Sequence, residues 1–110
     1  MRDVLGDTDS FFVQKRPGSG WETLYTAKGR ESIYYINVAN VGEVDCNWSM
    51  CIAPRGKSYS RGNDLVWEEA LQANDNDVWC FQIPLFAGQK VGVRSSSAGD
   101  LTFTAYGVFR

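Results

Sequence analysis

VDCNWSMCI, residues 44–52, decides the fold class. In an extended chain Val44, Cys46, Trp48, Met50 and Ile52 fall on one side, and Asp45, Asn47, Ser49 and Cys51 on the other. Two-residue alternation over such a run is the pattern of a half-buried strand, since successive side chains of a strand point to opposite faces. The same geometry sets Cys46 and Cys51 about 16 Å apart at ~3.3 Å per residue. A disulfide needs Cα atoms within about 7 Å, so the two do not pair. Cys80 could meet Cys46 across a core, with a packed free thiol as the expectation.

Working outward, the neighbouring segments read the same way. ETLYTA (22–27) and ESIYYINVAN (31–40) are rich in residues that suit a pleated surface. In the second, strict alternation puts Tyr34, Ile36 and Val38 on one face and Ile33, Tyr35, Asn37 and Ala39 on the other. APRGKSYSRGND (53–64) is a loop with Arg55, Lys57 and Arg61. LVWEEALQ (65–72) suits either a helical turn or a strand, and its β surroundings favour the extended form. VWCFQI (78–83) is a strand with Trp79, Phe81 and Ile83 inward, KVGVRS (90–95) is a short one, and LTFTAYGVF (101–109) closes the chain. Turns at 73–77, 84–89 and 96–100 separate them. Short strands at such intervals predict an all-β fold, an antiparallel β-sandwich or jelly-roll-like barrel. Residues 1–20 read as an extended N-terminal arm and linker, with FFV at 11–13 and a PGSG breaker at 17–20, and residues 21–110 as one β-sandwich domain.

Composition narrows the function. The chain has 110 residues, 44% of them hydrophobic and 22% charged, as expected for one globular domain. No apolar run approaches the ~20 residues that span a bilayer, and no membrane partner is expected. MRDVLGDTDS carries charge where a signal peptide has an apolar stretch, so no export is expected. The formal net charge is −2 and the basic residues are scattered, which argues against nucleic acid as a partner.

There is no histidine in the chain, so Ser-His-Asp and Cys-His nucleophilic systems are absent. GSG at 18–20 lacks the lysine and helix of a phosphate loop. Glu68 and Glu69 would point to opposite faces of a strand and not flank one bond. NDND (74–77) has oxygen ligands suited to calcium, yet it lacks the EF-hand spacing and is ordinary turn chemistry. Neither an enzyme nor a cofactor is expected, and no metal.

Aromatic residues are the remaining signal, with four Trp, five Tyr and six Phe. Phe11, Phe12, Val13, Trp21 and Tyr25 are the candidates for a protein interface, where aromatic side chains act as rigid anchors. The alternative is that the arm folds back over the open end of the sandwich. Tyr59 and Trp67, near the basic loop, are candidates for stacking on a sugar ring.

LYTAKGRESIYYINVANVG, QANDNDVW and PLFAGQKVGVRSSSAGDLTFTAYGV, within residues 24–108, resemble a small β-sandwich module of tailed-bacteriophage virion proteins. The module's usual VPAGK turn is AKGRE here, and Gln89 stands where it has an acidic residue after AG. The resemblance implies a structural protein of the virion, most simply a capsid decoration (cement) protein. It would sit on the capsid exterior after assembly in the host cytoplasm, stabilise the shell by binding the major capsid protein, and form a homo-oligomer (dimer or trimer). The alternative it allows is a tail, neck or fibre module that binds host-surface glycan.

Overall fold

The alternating runs form eight strands among the described residues: β1 (Ser10–Lys15), β2 (Glu22–Thr26), β3 (Glu31–Asn40), β4 (Cys46–Ala53), β5 (Asp64–Leu71), β6 (Asn76–Leu85), β7 (Lys90–Ser95) and β8 (Leu101–Phe109). A 3-10 turn, Arg61–Asn63, leads into β5. This computed structural model describes residues 10–109, apart from the side chains of residues 61 and 81. The first nine residues of the expected arm, and the inward side chain expected of Phe81, lie outside the described residues.

All pairings are antiparallel, and the strands make two sheets, ordered β1-β8-β3-β6 and β2-β7-β4-β5. The fold is a β-sandwich that does not close into a barrel. Its strand order has a simple origin. First pairs with last, second with seventh, third with sixth and fourth with fifth, as in one long hairpin. Rolling that hairpin up adds the β3–β8 and β4–β7 pairings. This is the jelly-roll winding.

Packing follows from the alternation. Trp48 and Met50 of β4 are fully buried, and so are Ile36 and Val38 of β3, Val91 and Val93 of β7, and Leu101 and Phe103 of β8. These side chains meet between the sheets, where removal of apolar surface from water supplies the main stabilisation. Trp48 lies edge-on to Trp79 and Phe103, and its indole N–H donates to Asp77 Oδ2 at 3.1 Å. Asn40, also buried, ties the β3–β4 turn together. Its amide donates to the carbonyls of Val44 and Leu71, and its Oδ1 accepts from Gly42 N–H. Pro84 sits on the edge strand β6, where a missing N–H is tolerated.

Two readings need revision. The PGSG breaker does not separate a free arm from the domain at residues 10–15. Ser10–Lys15 is an edge strand hydrogen-bonded to β8 from Ser10↔Val108 to Lys15↔Phe103. Strict alternation also fails on β3. A bulge at Tyr34–Tyr35 shifts the register, so Ile33, Ile36 and Val38 are all buried while Tyr34 is exposed. An extra residue in one strand turns every later side chain to the other face.

The ambiguous segment 65–72 lies mostly within β5, an edge strand with two register shifts. Cys46, Cys51 and Cys80 are free, the first two buried and the third exposed. The Cys51 thiol is pushed up to about 11, first by burial and then by the charge of Asp64. Because the thiolate is the reactive form, an aromatic disulfide reagent at pH 8 is expected to label one thiol, Cys80, quickly, and the other two only after denaturation. Fast labelling of all three in the native protein would contradict this packing.

Candidate functional site

The register fixes what each sheet shows to solvent. On the first sheet the outward positions are Ser10, Phe12 and Gln14 of β1; Thr102, Thr104, Tyr106 and Val108 of β8; Tyr35, Asn37 and Ala39 of β3; and Asn76, Val78 and Cys80 of β6. None of these carries a formal charge, in a chain with 24 acidic and basic residues (11 + 13). Phe12 is 54% exposed, Val78 50% and Tyr106 48%. Phe12 and Tyr35 both pack against the Tyr106 ring, at centroid distances of 5.0 and 5.4 Å. The β3 bulge adds Tyr34. With Phe12, Tyr106 and Val108 it lines an apolar groove of about 420 Å³.

The other residues of the FFV run do different work. Phe11 and Val13 point inward and pack against the core. Phe11 stacks on Tyr25 at 4.3 Å and contacts Phe109 at 5.4 Å. The Tyr25 hydroxyl donates to Glu31 Oε1, and Glu31, 1% exposed, also accepts the backbone N–H groups of Lys28 and Gly29 at 2.7 and 2.9 Å. Burial first, and the Glu31 carboxylate second, raise the Tyr25 hydroxyl above the ordinary phenol range. A buried carboxylate is kept by such partners. Of the five interface candidates, Phe12 alone lies on the exposed apolar face. Phe11, Val13 and Tyr25 pack against the core from the edge strands β1 and β2, and Trp21 lies against the second sheet.

That second sheet has a contrasting outer surface. The basic loop does not stand free in solvent. Tyr59 lies flat on β7 over Gly92, where an added Cβ would come within 2.4–2.9 Å of its ring. Its hydroxyl bonds Thr23 Oγ1 on β2, and burial raises its own proton affinity. Trp21 stacks on Tyr59 at 5.7 Å. Lys90 lies 5.0 Å over the Tyr59 ring, and the Arg94 guanidinium lies 5.3 Å from Trp21 and 4.6 Å from Trp67. Trp21, Tyr59 and Trp67, assigned from sequence to two different roles, thus belong to one row of alternating rings and cations. Beside Arg94 is a polar cleft of about 220 Å³ that also includes Glu68, Asn47 and four serines at 19, 49, 95 and 96.

Sequence reasoning did not single out Tyr34, Tyr106 or Arg94, and it weighed Glu68 only as half of a carboxylate pair with Glu69. The alternation of LTFTAYGVF does place Tyr106 opposite the buried residues, and that signal was sufficient to find it. Arg94 and Glu68 gain meaning only from neighbours on other strands. Comparison of the chain with protein-family models, curated proteins and solved structures finds no match.

Proposed function

We propose that this chain is a non-enzymatic structural protein of a tailed-bacteriophage particle, a decoration (cement) protein that binds and stabilises the major capsid shell. The observation that carries the reading is the uncharged outer face of β1-β8-β3-β6 with Phe12, Tyr34 and Tyr106 exposed on it. Docking such a face strips no ion of its hydration, so burial of the aromatic groups is not offset by a charge-desolvation cost. Rigid aromatic side chains are also the usual anchors of interfaces. The sequence resemblance to phage virion modules supports the same reading. The jelly-roll winding, which occurs in capsid and lectin domains, adds support by fold analogy alone.

In this arrangement many copies sit on the capsid exterior, each chain associating as a dimer or trimer, after assembly in the host cytoplasm. Multivalent attachment to the lattice makes weak individual contacts sufficient. Because β1 is part of the domain's sheet, removing residues 1–16 would damage the fold as well as the interface. Point changes on the face are the cleaner test. Phe12→Ser combined with Tyr106→Thr is expected to weaken co-sedimentation with capsids of the parent phage about tenfold or more, with the β-type far-ultraviolet spectrum kept; the lost cross-strand ring pair lowers the melting temperature modestly. Lys57→Glu, on the loop of the opposite sheet, is the control. Full binding by the double variant would sink the proposal.

A further inference from the structure

We propose that the cleft at Arg94, on the outer surface of the second sheet, binds one pyranose ring of a neutral glycan. The inference goes beyond shell binding and does not rest on it, since the cleft and the uncharged face lie on opposite sides of the sandwich. Size is the first argument. At about 220 Å³ the cleft is below the roughly 300–1,000 Å³ of pockets that take drug-sized ligands, so one small ring fits and a peptide segment does not.

Lining chemistry is the second argument. Arg94 supplies donors, Glu68 acceptors, and Asn47, Ser49 and Ser96 groups of both kinds. A simple anion would face the Glu68 carboxylate and a simple cation the Arg94 guanidinium. A ring bearing neighbouring hydroxyls, each both donor and acceptor, uses the two together.

Pre-organisation is the third. The Arg94 guanidinium makes no ion pair or hydrogen bond among the described residues; the indoles of Trp67 and Trp21 hold it instead, at 4.6 and 5.3 Å. Cation–π contact fixes a guanidinium through its π face and leaves its edge N–H groups to donate. On the other side, Glu68 has φ 50°, a left-handed conformation uncommon outside glycine. It sits at a register shift of β5, and its N–H donates to Ser49 Oγ at 2.9 Å. Bulges and held left-handed residues recur where a side chain is re-aimed at a ligand.

The test is a glycan array probed with the full chain. It is followed by titration of the isotope-labelled protein with methyl glucoside, galactoside, mannoside and N-acetylglucosaminide, read from amide shifts. Saturable shifts are expected at residues 47–49, 67–69 and 94–96 with at least one sugar. Arg94→Lys, which keeps the charge and loses the fork, and Glu68→Gln, which keeps the size and loses the charge, are each expected to weaken binding about tenfold. Phe12→Asp should bind the sugar as the native chain does. Glu68 is exposed, so its variant carries the test if Arg94→Lys disturbs the fold. No shift with any of the four sugars at tens of millimolar overturns the proposal. So does binding that survives both substitutions, or a stronger response to inorganic phosphate or acetate than to the sugars.

Discussion

Trp48→Ala is expected to lower the unfolding free energy by about 3–5 kcal/mol, the range for emptying a large aromatic site in a packed core. Trp48 is 0% exposed and sits between the sheets, edge-on to Trp79 at 5.6 Å and Phe103 at 5.9 Å. Removing it opens a void that strands on both sides cannot close, because each is held in register by its neighbours. It also leaves Asp77 without the indole donor. Domains of this size have roughly 5–15 kcal/mol in hand, so the variant is expected to be marginal at room temperature. Trp48→Phe keeps most of the volume and should cost about 1–2 kcal/mol, mainly through the lost hydrogen bond. Urea unfolding followed by far-ultraviolet circular dichroism measures both. Equal stabilities for Trp48→Ala and the native chain would show that this residue is not the centre of the core.

Gly107→Ala is the second large effect, about 3 kcal/mol, at the upper end of the usual cost of overpacking. An added Cβ would lie 2.2 Å from Phe11 Cζ and 2.5 Å from the backbone oxygen of Ser32. The ring can move only by leaving its stack on Tyr25. The carbonyl cannot move, since Ser32 is paired to Val108 within the sheet. The edge strand β1 should therefore loosen first, seen as faster amide exchange at residues 10–15. Phe11→Ala in the Gly107→Ala background is expected to relieve the ring clash and not the carbonyl one, giving partial rescue in a double-mutant cycle. A fully stable single variant would mean that β1 does not lie over Gly107.

The two proposed surfaces were legible to different degrees. Phe12 on the uncharged face was found as part of an apolar run, and its outward direction follows once β1 is known to pair with β8. The role of Phe11 was not legible, because two adjacent Phe residues look alike until one face is covered. On the second sheet Trp67 and Tyr59 were found as isolated aromatic residues. Their common setting depends on the loop 54–63 lying back over Gly92, a contact set by side chains on different strands. The Tyr34–Tyr35 bulge also left no local mark. ESIYYINVAN fits uninterrupted alternation equally well, and only the demand that Ile33, Ile36 and Val38 all enter the core selects the shifted register.

By itself the amino-acid sequence determined that this chain is built of strands, where most of them run, that β4 has one oily side, and that Cys46 and Cys51 cannot pair. Those properties come from spacing along a few residues, since side-chain direction in a strand repeats every two. The tertiary structure decided which strands lie together, that residues 10–15 belong to a sheet, and which aromatic side chains meet solvent. The physical reason is that a pairing such as Ser10 with Val108 depends on how all the apolar faces can be covered at once, and that is a property of the whole chain.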